Sequence, residues 1–316
     1  MMGMYLVRKA IDYYRYEGLI GVAAAALRKS LWSVRQRYRQ RCWAKIKSRP
    51  NLTIALGSLK LTLNPDDTGI SCELAVEGTH EPVATQLMLE MIREGMVTVD
   101  IGANIGYYAL QIALRVGTQG RVIAFEPAPN SYGLLVQNIH QNGLTNVQAY
   151  PYAIGSTRKE MDFFLYEQSN WNSFVKHGEP IGRVKVLVVP LDEILPSLIN
   201  RVDLIRMDIE GYELEAIQGM KNTLRRHQPI LCMELHGSFM PLEEVRTLLH
   251  ELIDLGYDIK YAILRSKDEI YWKRLIVPAN RIIEHISIYQ LLHDNRLNKY
   301  QENFSLILTP APGAKA

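Results

Sequence analysis

Hydrophobic residues fall along this chain in two rhythms, and the change between them marks out its parts. In the first 50 residues Met4, Val7, Ile11 and Tyr14 recur at helical spacing, and Leu27, Leu31, Val34 and Tyr38 do so again after the run LIGVAAAAL. That spacing predicts one or two amphipathic helices. From Leu52 the rhythm becomes strict alternation: Leu52, Ile54, Leu56, then Leu59, Leu61, Leu63, with Gly57 and Ser58 between. This predicts a β-hairpin that caps the sheet. A helix is predicted over 82–94, with proline in its first turn and Gly95 after its end. Beyond it come strand 96–101, helix 104–116, strand 121–127, helix 129–142 and strand 146–154. After a polar insertion follow strand 202–209, helix 211–226, strand 229–235, helix 241–255 and late strands near 257–265 and 303–309.

Strands alternating with helices of that length predict an α/β, Rossmann-like fold, its sheet mostly parallel with helices on both faces. The last two strands would close it as an antiparallel pair. Ligands of such sheets sit at the carboxyl ends of the strands, where the strand order reverses. The expected division is a basic helical arm over 1–50, a hairpin region over 51–80 and a ligand-binding domain over 81–310. The tail PAPGAKA is the only biased segment, and there is no internal repeat.

Composition adds two points. Cys42, Cys72 and Cys232 are scattered and lack C-x-x-C spacing, so no disulfide or zinc framework is implied and a reducing, cytoplasmic setting is expected. The net charge of +3 conceals a contrast: residues 1–50 carry 12 Lys/Arg against Asp12 and Glu17, a balance of +10, while the remainder comes to −7. An arm so basic calls for an anionic partner, a lipid surface or nucleic acid. Its apolar run over 19–27 is far shorter than the ~20 residues that cross a bilayer, and the acids ahead of it are unlike a secretory leader. Lying in the interface, the arm would hold the protein peripherally on the inner face of a membrane. The alternative packs its apolar stripe on the core or on a second subunit, as in a homodimer.

The stretch VTVDIGANIGYYAL, residues 97–110, is where strand passes into helix. A dinucleotide fingerprint G-x-G-x-x-G needs its second glycine for close approach to a pyrophosphate. Counted from Gly102, Asn104 takes that place and Tyr107 the third, and Asp100 would repel phosphates. A nicotinamide cofactor is therefore disfavoured. S-adenosylmethionine, with an ammonium, a sulfonium and a ribose diol, fits better. Asp100 would attract the ammonium, Gly102 and Gly106 would let the main chain pass close, and Glu126 at the end of the next strand would accept from the ribose hydroxyls.

With these residues in order, the chain resembles the FkbM-type S-adenosylmethionine-dependent methyltransferases. The resemblance rests on THEPVATQL, VTVDIGANIGYYAL, GRVIAFEPAPNSYGLLVQNI, the AIG at 153–155 and VDLIRMDIEGYELEAIQG, and spans roughly 81–236. It implies a Rossmann-like methyltransferase fold and, most often, O-methylation of a hydroxyl on a sugar or secondary metabolite. It also adds Asn104, Tyr107, Pro127, Ala153 and Asp208 to the expected donor site.

Asp208 and Glu210 lie at a strand mouth, two apart, as do Glu234 and His236 on the next strand, so each pair faces one way. His236 is the first candidate for the base that takes the acceptor proton, with Asp208 or Glu210 second and His177 a weaker option. The four could bind a divalent cation, but no compact ligand spacing demands it, and no metal is expected. In the insertion LYEQSNWNSFVKHGEP, Trp171 would stack on an acceptor, while Asn170, Asn172 and Ser173 would hydrogen-bond it. The resemblance implies a serine at the place of Ser173. The expected activity is O-methylation of a glycan, lipid-linked sugar or related metabolite. An RNA methyltransferase and a non-catalytic cofactor-binding scaffold are the alternatives. The acidic core without a recognisable RNA-binding module argues against nucleic acid.

Overall fold

The computed structural model describes residues 33–49, 52–265, 282–299 and 301–311; most of the arm lies outside them. A helix over 33–46 (α1) leads to the hairpin of β1 (Thr53–Leu56) and β2 (Leu59–Thr62), paired from Thr53 opposite Thr62 to Leu56 opposite Leu59. Helices α2 (Ile70–Glu77) and α3 (Pro82–Met91) follow. Then come β3 (Val97–Ile101), α4 (Tyr107–Val116), β4 (Arg121–Phe125), α5 (Pro129–Gln141) and β5 (Val147–Tyr150). Strands β6 (Ala153–Ile154), β7 (Lys159–Leu165) and β8 (Gly182–Val189) precede α6 (Leu191–Leu198). The chain continues through β9 (Leu204–Met207), α7 (Glu213–Gln218), α8 (Lys221–His227), β10 (Ile230–His236), α9 (Leu242–Asp254) and β11 (Tyr257–Leu264). It closes with β12 (Ile283–Glu284), two short helices and β13 (Asn303–Pro310).

The main sheet runs β12-β11-β13-β10-β9-β3-β4-β5. The five strands from β10 to β5 are parallel, and β13 runs antiparallel between β10 and β11. This is a Rossmann-like α/β architecture, as the alternating pattern predicts. Because both faces are covered, the central strands are apolar on both sides. Val99, Ile101, Ile123 and Phe125 join one core with α7 and α9, while Val122 and Ala124 join the other with α4 and the hairpin. Strand order reverses between β3 and β9, which opens a crevice at their carboxyl ends.

Local readings needed correction where distant chain intervenes. The expected strand 146–154 is cut at Pro151, and β6 belongs to a separate sheet ordered β6-β8-β7. The supposed insertion LYEQSNWNSFVKHGEP is the connection between β7 and β8 of this second sheet. The expected helix 211–226 breaks at Gly219, where a Cβ would collide with the Gly155 carbonyl. Helix α2 is an addition that the sequence pattern did not suggest. In α1 two arginines face inward, since Arg35 Nε bonds Glu77 at 2.9 Å and Arg39 is buried beside Trp43, while Arg37, Arg41 and Lys45 are exposed. Val34 and Tyr38 are instead 62% and 51% exposed, so these two do not pack on the core.

Candidate active site

The turn after β3 is shaped by crowding. Gly102 has φ +81, and a Cβ there would strike the Asp208 carbonyl oxygen at the exit of β9, so only glycine lets the two strand ends converge. Asn104 follows in the left-handed region, φ 48, its Oδ1 accepting the Ile105 N–H at 2.8 Å. Glu126, just beyond β4, accepts the Asn104 N–H through Oε2 and the Ala128 N–H through Oε1, each at 2.8 Å. Burial outweighs these two bonds and pushes its carboxyl up to about 7. Each oxygen keeps a lone pair beyond the one its amide uses, as a diol-accepting carboxylate requires.

Gly102, Asn104, Tyr107, Glu126, Pro127, Ala153 and Asp208 all line one cleft, opposite Asn170, Asn172 and Tyr212. Two expected donor residues do not line it. Gly106 caps α4 at φ +97, and a Cβ there would press on Leu110 and Leu135, so it serves helix packing. Asp100 is 0% exposed, and its Oδ1 accepts from Arg206 at 3.2 Å behind the wall. Burial raises its carboxyl, with Arg206 opposing.

Arg206 was not anticipated. It lies opposite Asp100 in the β3/β9 register. It donates to Asp100, to the Gly102 carbonyl at 2.9 Å and to Asp208 Oδ2 at 2.6 Å, and sits 4.1 Å over the Tyr108 ring. The cleft is therefore charge-balanced and not simply acidic. A cation inside an otherwise apolar strand, two residues before Asp208, was the signal available.

Asp208, Glu210, Glu234 and His236 do converge. His236 Nε2 lies 3.1 Å from Glu210 Oε2, 3.5 Å from Glu234 Oε1 and 3.8 Å from Asp208 Oδ1, and Nδ1 is 2.7 Å from Glu213 Oε1. Burial works against its charge, yet these carboxylates outweigh burial and hold its pKa well above 6.5. Both ring nitrogens of His236 therefore face carboxylates, Nδ1 that of Glu213 and Nε2 those of Glu210, Glu234 and Asp208. His177 is stacked between Tyr166 at 4.4 Å and Phe239 at 4.3 Å, and it lines neither this cleft nor the larger one lined by Trp171.

Around the insertion, Ser173 is fully buried; its Oγ donates to the Glu210 carbonyl at 2.6 Å and accepts the Val175 N–H at 3.0 Å. It holds the turn that carries Glu210, at φ 53, and does not face an acceptor. Asn172 accepts the Tyr166 N–H at 2.9 Å and faces the first cleft. Trp171, 40% exposed, lines a second and larger cleft of about 610 Å³ with Arg39, Gln168, Glu234, His236 and Arg265. Glu210 and Asn170 line both clefts. Ser169 ties the wall between them together, its N–H and Oγ on Asp67 at 2.8 and 3.0 Å and its Oγ 3.3 Å from Asn104 Nδ2. Sequence reasoning passed over Glu81, Glu213 and Arg265, which complete the charge network: Arg265 pairs with Glu81 at 2.8 Å and Glu234 at 3.1 Å.

A parallel sheet reversed at a glycine turn, with a carboxylate closing the next strand, forms the kind of crevice in which open α/β sheets bind a ribonucleoside. The chain belongs to the FkbM methyltransferase family, whose domain matches residues 100–259. It is 27% identical to a hexuronic acid methyltransferase, AglP, of Haloferax volcanii over 191 residues, covering 58% of this chain and 76% of that protein. It is 29% identical to methyltransferase sdnD of Sordaria araneosa, covering 55% and 76% respectively. Among solved structures, an FkbM methyltransferase from Methylobacillus flagellatus is similar at 19% identity and a TM-score of 0.37. That likeness covers 52% of this chain, which spans only 37% of the other protein.

Proposed function

We propose that the protein transfers the methyl group of S-adenosylmethionine to a hydroxyl oxygen of a polyhydroxylated acceptor, a sugar or glycan, held in the second cleft. The observation that carries this reading is that two clefts of different chemistry meet at Glu210. When bound, the donor supplies an electrophilic methyl carbon on a sulfonium. The residues fit it: Glu126 offers two lone pairs to a diol, and bare Gly102 gives the backbone room. Lining of the second cleft by Trp171, Asn170, Gln168 and Arg265 suits a ring with many hydroxyls, and hexuronic acid methylation by a relative supports this class.

Most of the acceleration would come from alignment of oxygen, carbon and sulfur, worth roughly 7–11 kcal/mol at best. The Glu210 carboxylate would take the acceptor proton as the hydroxyl oxygen gains the methyl group that the sulfonium gives up, the C–S electron pair staying on sulfur. Glu210→Gln should lower kcat by about 10²- to 10⁴-fold while S-adenosylhomocysteine affinity stays within about twofold. Unchanged kcat removes Glu210 as the base.

The Glu126 carboxyl also sets a pH dependence. Ribose hydroxyls donate to the ionised form, so binding favours that form and releases the proton carried below pH ~7. S-adenosylhomocysteine affinity should therefore fall about tenfold between pH 8 and pH 6. A flat calorimetric profile would contradict this placement.

The decisive experiment is transfer of labelled methyl from S-adenosylmethionine to glycan extracts, compared with total RNA. Label in glycan supports the reading, and label confined to RNA overturns it. The outer face of α1, with Val34 and Tyr38 beside Arg41 and Lys45, is where an anionic lipid surface would meet the protein. No helix among the described residues is long and apolar enough to cross a membrane. Salt-sensitive sedimentation with anionic vesicles, and not with neutral ones, is expected.

A further inference from the structure

We propose that Asp208, Glu234 and His236 form a binding site for one divalent cation of the Mn²⁺ or Mg²⁺ class, where Asp208 lines the first cleft and Glu234 and His236 the second. One ligand atom from each lies within 4.8 Å of the others. They come from adjacent parallel strand ends: Asp208 follows β9, and Glu234 and His236 sit two apart on β10, on the same face. Rigid, buried backbone thus delivers the set, even though no short sequence motif announces it.

Three details point to a ligand and not to a mere collection of acids. First, Glu213, itself buried, takes Nδ1 of His236 at 2.7 Å, which turns Nε2 toward the carboxylates. A carboxylate holding the far nitrogen of an imidazole is the usual support of a metal-bound histidine. Second, Asp208 divides its oxygens: Oδ2 takes Arg206 at 2.6 Å, whereas Oδ1 is shielded, 3.8 Å from Nε2, and has no hydrogen-bond partner. Third, the spacing is suitable. Metal bonds of about 2.1 Å place neighbouring ligands at right angles about 3 Å apart, and Nε2 is already 3.5 Å from Glu234 Oε1. With His236 Nε2 3.8 Å from Asp208 Oδ1 and all three atoms within 4.8 Å, the set would draw together on the ion.

Two carboxylates and one imidazole, with no thiolate in the set, suit hard to borderline cations that keep open positions for oxygen ligands. Glu234 Oε1 also accepts from Arg265 at 3.1 Å, so the guanidinium would share that carboxylate with the ion. The open side faces the second cleft beside Glu210. There the cation would hold the acceptor hydroxyl and acidify it, the proton going to Glu210; this role rests on the transfer reading above, whereas the site itself does not.

Mn²⁺ titrated into the full-length protein, with no donor or acceptor present, should lose its free electron paramagnetic resonance signal to one site per chain. Glu234→Gln and His236→Ala should each weaken that binding at least tenfold. Glu213→Gln, a change at a positioning residue, should weaken it by about 10- to 100-fold, with far-ultraviolet dichroism checking that each variant folds. On the wild-type protein, pulsed measurement should detect an imidazole nitrogen coupled to the bound Mn²⁺, a readout that no folding defect can confuse. No Mn²⁺ uptake, no nitrogen coupling, or unaltered binding in both folded ligand variants would overturn the site. Calorimetry with S-adenosylhomocysteine tests the donor cleft separately, so the two readings can fail independently.

Discussion

Arg206→Met should destabilise the protein by about 3–5 kcal/mol, the usual loss when one member of a buried ion pair is removed. The guanidinium stands between Asp100 and Asp208 with its third bond on the Gly102 carbonyl, so its removal leaves acids without a counter-charge beneath the glycine turn. The denaturant midpoint at neutral pH measures the loss, and a change below about 1 kcal/mol would show that water reaches these groups. The pH dependence has a definite sign. In the native fold the Asp100 carboxyl is already raised, so it binds its proton more tightly folded than unfolded. Its contribution favours folding at low pH and is lost as pH rises through the folded pKa. Without Arg206 that loss should grow, and the variant should gain on the wild type as pH falls. Asp100→Leu added to Arg206→Met should recover part of the stability, because an apolar pair replaces an orphaned charge.

Glu126→Gln should weaken S-adenosylhomocysteine binding about 100-fold. Hydrogen bonds to a charged acceptor are worth about 1.5–3 kcal/mol each, and two ribose hydroxyls would lose the charge together. The amide also has only one acceptor oxygen, whereas both the Asn104 and Ala128 N–H groups need one. One of them would meet an NH₂ group, and the turn carrying Asn104 would loosen as well. Calorimetry at pH 8, where the wild-type carboxyl is ionised, gives the comparison. Affinity within about threefold of wild type would place the diol elsewhere.

Both predictions concern residues whose legibility in the sequence differed. Glu126 was readable because everything that positions it is local: an apolar strand, a proline after it, and a glycine turn one strand earlier. Asp100 was misread for a physical reason. Its alternation was right, but the face it shares is settled by Arg206, 106 residues away, and a solvent-facing acid and a buried ion pair have the same local pattern. The surroundings of His236 were hidden for the same reason, since Glu210 and Glu213 come from the turn and helix after the preceding strand and hold its two ring nitrogens. Ser173 was taken as a contact, yet its hydroxyl is spent on the backbone of Glu210.

Periodicity of two and of 3.6, with glycine and proline as punctuation, determined by themselves the alternating strands and helices and the parallel sheet, because those depend on backbone geometry over a few residues, while the family was legible in the order of the motifs from VTVDIGANIGYYAL to VDLIRMDIEGYELEAIQG. Tertiary structure alone decided where β6 to β8 and α2 go, which way α1 turns its arginines, and how the charges neutralise one another. Burial and pairing are properties of neighbours brought together from distant positions, and a charge in low dielectric takes its protonation and its partner from them.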